Sequence, residues 1–338
     1  MIVDRPRILF VVPGLPIGWS MIFIRNDIAA VEKLGITGRT FYLVSRTSVP
    51  VLIREAVRFR REIAQFNPDL VHAHYGTVTA LFCAILTRRP LVITYRGSDL
   101  NPCPGMNPVR SWIGRGLSQL AALRASRIIC VSGQLKERLW WNSAHAQIFP
   151  SGVNTTLFRP HPKTEARAQL GWAETEKVVI SSAGTDPPRK RLDLARASVE
   201  VAEGLCGKIR FVVLDGQAEQ RDIALLFSAA DCFILTSEWE GSPNVVKEAM
   251  ACGLPVVSVD VGDVGERLRN VRPSMIVARD PRELGAAVAR LVQAQVRSNG
   301  HEMVREVSAE TMAAKVLSLY RELCSEQKSA EITVTTGE

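Results

Sequence analysis

Short apolar runs alternate with amphipathic stretches along almost the whole chain. Ile8 to Val12 (ILFVV) is continuous and apolar, the length and character of a strand buried on both faces. A loop from Pro13 to Ser20, holding Gly14 and Gly18, leads to helical spacing from Met21 to Leu34, which Gly35 closes. Further strands are predicted at Phe41 to Val44, Asp69 to His72, Leu91 to Tyr95 and Ile128 to Val131. Helices fall between them, at Arg54 to Phe66, Thr77 to Leu86 and Val109 to Ala125, and Ser132 starts another. Phe149 to Pro162 (FPSGVNTTLFRPHP) has no periodicity and reads as a connection between domains. Beyond it the pattern restarts, with strands at Val178 to Ser182, Arg210 to Leu214, Cys232 to Leu235 and Val256 to Val259. Helices are expected at Leu192 to Glu203, Val245 to Cys252, Pro281 to Val296 and about Ala309 to Cys324, and residues 325–338 read as a disordered tail. Strands alternating with helices predict an α/β protein of two Rossmann-like, doubly wound parallel-sheet domains, 1–155 and 156–308, facing across a cleft that would hold the ligands.

Composition narrows the setting. The 338 residues are 46% hydrophobic, enough for two cores, and no apolar run approaches the ~20 residues of a membrane span. The opening MIVDRPRILFVVPG reads as a first strand rather than a signal peptide. Seven scattered cysteines without a C-x-x-C pair indicate reduced thiols in a cytoplasmic protein and no structural zinc. The net charge of +8 is uneven: residues 1–155 hold 19 Lys and Arg against 8 Asp and Glu, and the remainder 23 against 26. The basic half suits an anionic partner, a membrane surface or an acidic substrate, or else is a solvated face. Nucleic acid is not indicated, because no helix-turn-helix, RNP or zinc-finger pattern accompanies the charge.

One stretch, Thr236 to Gly265, concentrates the candidate chemistry. Gly241 and Pro243 break the strand before them, Asn244 can cap the helix that begins at Val245, and Gly253 ends it. A helix opening after such a turn, at the carboxyl end of a strand, offers unpaired N–H groups and a favourable dipole to a phosphate. Glu240 sits just before this opening and Glu248 further into the helix. A sugar nucleotide accounts for both, with phosphates at the helix start and sugar hydroxyls on the carboxylates. Arg189 and Lys190, after the first strand of the second half, are two cations suited to a diphosphate or a charged helix start. The loop holding Gly14 and Gly18 is G-x-x-x-G, not the dinucleotide pattern. His72 and His74 share a strand face, but no third ligand for a metal is evident.

Taken together, these residues resemble the retaining glycosyltransferases of the GT-B fold, family 4 (glycosyl transferases group 1). EGSPNVVKEAMACGLPVV resembles the family's E-x7-E motif, with Glu240 first and Glu248 second. DLVHAHYG, LVITYRGSDL, RIICVS and IFPSGVNTTLFRP resemble N-terminal-domain and linker landmarks in the right order, RKRLDLA resembles the loop that supplies the basic donor-phosphate residues, and SAADCFILTS resembles the segment that precedes the motif. The resemblance implies a nucleotide-sugar donor (UDP or GDP) on the second domain. Arg189, Lys190 and amides near Asn244 and Val245 would hold the diphosphate, Glu248 the ribose and Glu240 the sugar. Transfer would retain configuration and need no metal or other cofactor, the two cations replacing a divalent ion. The acceptor, a glycan or lipid-linked glycan, would bind the first domain, where Gly18, His74, Gly97, Ser98 and Asp99 are candidates. The final helix, with Tyr320, would cross back onto that domain. Three departures stand out. Arg96 replaces a common histidine that reaches the donor sugar or reaction centre, Gly18-Trp19-Ser20 replaces adjacent glycines, and Gly184-Thr185 replaces Gly-Arg, leaving Arg189 as the substitute arginine. The expected protein is cytoplasmic, peripheral on the inner face of the membrane, and builds cell-surface glycans. A GT-B nucleotide-sugar epimerase and a catalytically degenerate sugar-nucleotide-binding protein are the alternatives.

Overall fold

The structure, a computed structural model, describes residues 5–15, 21–102, 107–184 and 186–335. The chain divides into two compact units: Met1–Ser151 joined by Glu310–Glu338, and Gly152–Ala309.

The first unit opens with β1 (Arg7–Pro13), α1 (Ile22–Glu32), β2 (Thr37–Leu43), α2 (Val49–Phe66), β3 (Leu70–His74) and α3 (Thr77–Leu86). It continues through β4 (Leu91–Tyr95), α4 (Pro108–Arg124), β5 (Arg127–Cys130), α5 (Gly133–Glu137) and β6 (Ala146–Ile148). The strands form one parallel sheet in the order β2-β1-β3-β4-β5-β6. Alternate side chains of β1 divide between two cores. Leu9 and Val11 pack with Phe59, Phe82 and Ala121 from α2, α3 and α4, whereas Ile8, Phe10 and Val12 pack with Ile24 and Ile28 of α1. Side-chain oxygens of Asn107 and Ser132 cap α4 and α5.

The second unit contains α6 (Lys163–Leu170), β7 (Lys177–Ser182), α7 (Pro187–Lys190), α8 (Leu192–Cys206), β8 (Ile209–Leu214) and α9 (Gln220–Ala229). After these come β9 (Cys232–Leu235), α10 (Asn244–Ala251), β10 (Val256–Ser258), α11 (Val264–Leu268), β11 (Met275–Ile276), α12 (Pro281–Ala294) and α13 (Gly300–Met303). Its parallel sheet has the order β11-β10-β9-β7-β8, so strand order reverses between β7 and β9. In this unit the sequence reading missed α6, α7, α9, α11, β11 and α13. The polar α6 (KTEARAQL) packs through Ala166 and through Arg167, which is 1% exposed. Arg167 donates to the Ala229 carbonyl at 2.9 Å and to Asp231 at 3.0 Å, bonds that no periodicity reveals. The stretch read as a connection is itself anchored: Phe158 is buried and Val153 bridges to Ser308.

The last helix, α14 (Ala309–Thr335), returns the chain to the first unit. Its Leu319, Tyr320 and Leu323 fill the core that contains Ile8 and Phe10. The disordered tail expected from residue 325 is replaced by helix through Thr335. Glu322 and Glu326 both accept from Arg127 of β5, at 3.1 and 2.5 Å, which holds the next turns in register, and SEQKSAE consists mostly of good helix formers.

Candidate functional site

In an open α/β sheet, ligands bind beyond the strand C-termini where strand order reverses. In the second unit this point lies between β7 and β9, and the loops that follow those strands are bonded to each other. The Thr236 hydroxyl donates to the carbonyl of Lys190 or of Arg191, each at 2.9 Å, and the Glu238 N–H donates to the Arg189 carbonyl at 2.8 Å. α7 turns Arg189 and Lys190 toward Glu240. The Lys190 ammonium donates to Glu240 Oε1 at 2.6 Å, and Arg189 Nη1 lies 3.2 Å from the same oxygen. Arg189 is further fixed by Asp186 at 3.2 Å and stacks over the Trp239 ring at 5.0 Å. Burial pushes the Glu240 carboxyl upward, but Lys190 and Arg189 outweigh it, so the pKa lies below the ordinary value and the group is held ionised.

α10 begins beside this cluster. It starts one residue earlier than the sequence predicts: Pro243 occupies the cap position with extended backbone and Asn244 is the first helical residue. Asn244 therefore does not cap the helix, and its Oδ1 is buried without a hydrogen-bond partner among the described residues, as is Trp239 Nε1. The N–H groups of Asn244 and Val245 have no carbonyl within the helix to bond. Together these leave unfilled polar positions around the Gly241–Val245 turn. Glu248 is half-buried, and burial, partly countered by Lys247, raises its pKa to about 7.

The turn rests on a buried network that the sequence reading did not identify. Lys247 is fully buried and donates to Ser242 Oγ at 2.9 Å. That hydroxyl donates to Asp263 Oδ2 at 2.9 Å, and Arg267 lies 3.3 Å from the same carboxylate. Gly262, at φ 59°, lies so close to this turn that a Cβ would stand 2.5 Å from the Gly241 carbonyl oxygen. The available signals were a lysine within an apolar helix and the Gly-Asp-Val-Gly run after β10.

In the first unit, Arg96 is committed to internal contacts. It donates to Ser151 Oγ at 2.7 Å, Asp27 at 3.0 Å and His74 Nδ1 at 3.0 Å, and it stacks over Phe23. Because a guanidinium only donates, His74 Nδ1 accepts and the proton of the neutral ring sits on Nε2. Burial first, then His72 and Arg96, keep His74 uncharged. Its Nε2–H is buried and unpartnered among the described residues, at the end of β3. Both ring nitrogens of His72 are bonded, to Tyr320 Oη at 2.5 Å and Thr94 Oγ1 at 2.7 Å. Asp99 is fully buried and accepts from the N–H groups of Arg96, Gly97 and Gly76, which orders this loop. Gly97 supplies its positive φ of 151°, and Ser98 bonds the Tyr75 hydroxyl. Gly18 lies outside the described residues. The candidates thus gather in two places: Arg189, Lys190, Glu240, Gly241 to Val245 and Glu248 in the second unit, and Arg96, His74 and Gly97 to Asp99 in the first.

Comparison with known proteins bears on the family and the fold. The sequence profile of Glycosyltransferase Family 4 matches residues 22–157, and that of Glycosyl transferases group 1 matches residues 165–294. TuaC of Bacillus subtilis (strain 168), provisionally named a teichuronic acid biosynthesis glycosyltransferase, is 26% identical over 250 residues, which are 68% of this chain and 62% of that protein. Other curated relatives are matched over 49%, 50% and 61% of their own lengths, so the chain spans about half to three-fifths of them. Among solved structures, sucrose-phosphate synthase from Thermosynechococcus elongatus superposes with a TM-score of 0.79 at 20% identity, covering 95% of this chain and 100% of that one. HepE of Anabaena in complex with UDP-glucose gives 0.66 at 20% identity, covering 96% and 100%. With both units matched and the GT-B fold shared, the chain belongs to the group 1 glycosyl transferases of Glycosyltransferase Family 4.

Proposed function

We propose that this protein is a retaining, metal-independent glycosyltransferase that moves a hexose from a UDP- or GDP-sugar to a glycan or lipid-linked acceptor. The reaction would serve cell-surface glycan synthesis at the cytoplasmic face of an anionic membrane. The observation that carries this reading is the convergence of Arg189 and Lys190 on Glu240 beside the start of α10, where strand order reverses. A diphosphate leaving group gains charge as its bond to the sugar breaks. Two fixed cations and free helix N–H groups at that point stabilise the transition state more than the ground state. Their charge also supplies what a divalent cation would otherwise provide. Glu240, held ionised, neutralises the cations before the donor arrives and accepts hydrogen bonds from sugar hydroxyls. Glu248 receives the ribose hydroxyls. The acceptor hydroxyl attacks the anomeric carbon from the side on which the diphosphate departs; the carbon–phosphate-oxygen bond breaks, and the acceptor proton passes to the leaving phosphate. His74, whose Nε2–H has no partner among the described residues, is the acceptor-side donor in the first unit, and Arg96 fixes its tautomer.

A donor screen tests this. The protein is incubated with UDP- and GDP-hexoses, with and without a lipid-linked glycan extract, and free nucleotide is measured in the presence and absence of EDTA. Acceptor-dependent release that survives EDTA, with an unchanged anomeric configuration in the product, is expected. Lys190→Ala should lower kcat/KM by more than ~10-fold, the loss of one charge-assisted contact. Sugar interconversion without acceptor would instead identify an epimerase, and binding without turnover a degenerate protein.

A further inference from the structure

The first unit carries a surface that the candidate site does not use. α2, α3 and α4 lie side by side over one face of the sheet, and their outer sides hold apolar residues in register. On α4, positions 109, 113, 116, 120 and 123 follow steps of four, three, four and three, a single stripe along the helix. Val109, Trp112, Ile113, Leu120 and Leu123, on or beside this stripe, are 48% to 65% exposed. On α2, Val49, Ile53 and Val57 repeat every fourth residue and are equally open. Ile85 of α3 and Trp140, which is tied to α4 through Gln119, are also exposed.

The exposed charged residues of α2, α3 and α4 are all arginines. Arg54, Arg60, Arg61, Arg88, Arg110 and Arg124 are all exposed. From residue 70 to 136 the only acidic residue is Asp99, which is fully buried. The two glutamates of α2 are already paired, Glu55 with Arg58 and Glu62 with Arg39. Apolar stripes of this kind on a water-soluble surface indicate a covering partner. A second copy would bring cation against cation, which disfavours it.

We infer that the outer face of α2, α3 and α4 docks on an anionic phospholipid bilayer. The stripes of α2 and α4 enter the boundary between headgroups and acyl chains, and the arginines meet lipid phosphates. Trp112 and Trp140 sit at headgroup depth, the level such rings prefer. The inference rests on the proposed function only for its purpose, delivery of the enzyme to a lipid-linked acceptor.

The full chain is floated with vesicles of phosphatidylcholine alone and of phosphatidylcholine mixed with phosphatidylglycerol, at low and high salt. It should float with the mixed vesicles at least ~10-fold more than with the neutral ones, and high salt should release it. Trp112→Ser/Leu120→Ser and Arg54→Glu/Arg110→Glu should each reduce flotation about tenfold or more, while nucleotide-sugar binding by calorimetry stays unchanged. Equal flotation with both vesicles, none with either, or variants that float like the parent would overturn the inference. So would Trp112-dependent dimerisation in solution, which would make a second copy the occupant. Loss of nucleotide-sugar binding in the parent protein would sink the functional reading and leave the flotation result standing.

Discussion

Glu240 and Glu248 lie eight residues apart, yet their carboxyls are driven in opposite senses. Burial raises both, but Lys190 and Arg189 reverse the effect at Glu240, whereas Lys247 only tempers it at Glu248, which settles near 7. In the proposed function ribose hydroxyls donate to the Glu248 carboxylate, so donor binding would select its ionised form. Affinity for an intact nucleotide-sugar should therefore weaken as pH falls from 8 to 6, by no more than ~10-fold per unit for one proton. Glu248→Gln should bind more weakly at pH 8 and lose the slope; calorimetry across the range decides, and a slope that survives the substitution removes Glu248 from the ribose site. The sequence shows both glutamates and their spacing. It does not show their protonation, because that depends on which neighbouring cations turn inward, and nothing local marks Lys247 as buried. Arg96 was legible only as a departure from the family pattern, since its partners Asp27, His74 and Ser151 come from three distant segments.

At the level of elements, the Gly241–Val245 turn is shaped from below. The loop after β10 supplies Asp263 to Ser242 and brings Gly262 against the Gly241 carbonyl. A methyl group at position 262 meets both a left-handed backbone and a backbone oxygen, and neither can yield without moving the turn. Gly262→Ala should cost roughly 1–3 kcal/mol in urea denaturation and weaken nucleotide-sugar binding more than it disturbs the far end of the sheet. If it binds donor normally despite lost stability, the turn is not the phosphate cradle. Strands and long helices were readable because apolar runs and helical spacing report burial directly. The start of α10, the polar α6 and the Arg167 anchor were not, because they depend on hydrogen bonds between segments far apart in the chain.

Across the whole molecule, the two-unit plan followed from the restart of the strand–helix pattern after the Phe149–Pro162 stretch. The sequence did not show that α14 reaches Thr335. Its Tyr320 hydroxyl bonds His72 beneath the sheet, and Tyr320→Phe leaves that buried ring nitrogen unpaired. A loss of about 1–3 kcal/mol is expected in urea denaturation, confined to the first unit as read by hydrogen exchange; an unchanged midpoint would show the bond to be without effect. The wider consequence of α14 concerns the order of events during synthesis. Domains usually fold as they emerge, the earliest first. Here one face of the first sheet waits for residues beyond Glu310, while the whole of Gly152–Ala309 emerges in between. At ~5–20 residues per second that wait is on the order of ten to thirty seconds. In that interval Ile8, Phe10 and Val12 lack the α14 part of their cover, so the nascent chain offers an apolar sheet face to chaperones after the later-encoded unit is already able to close.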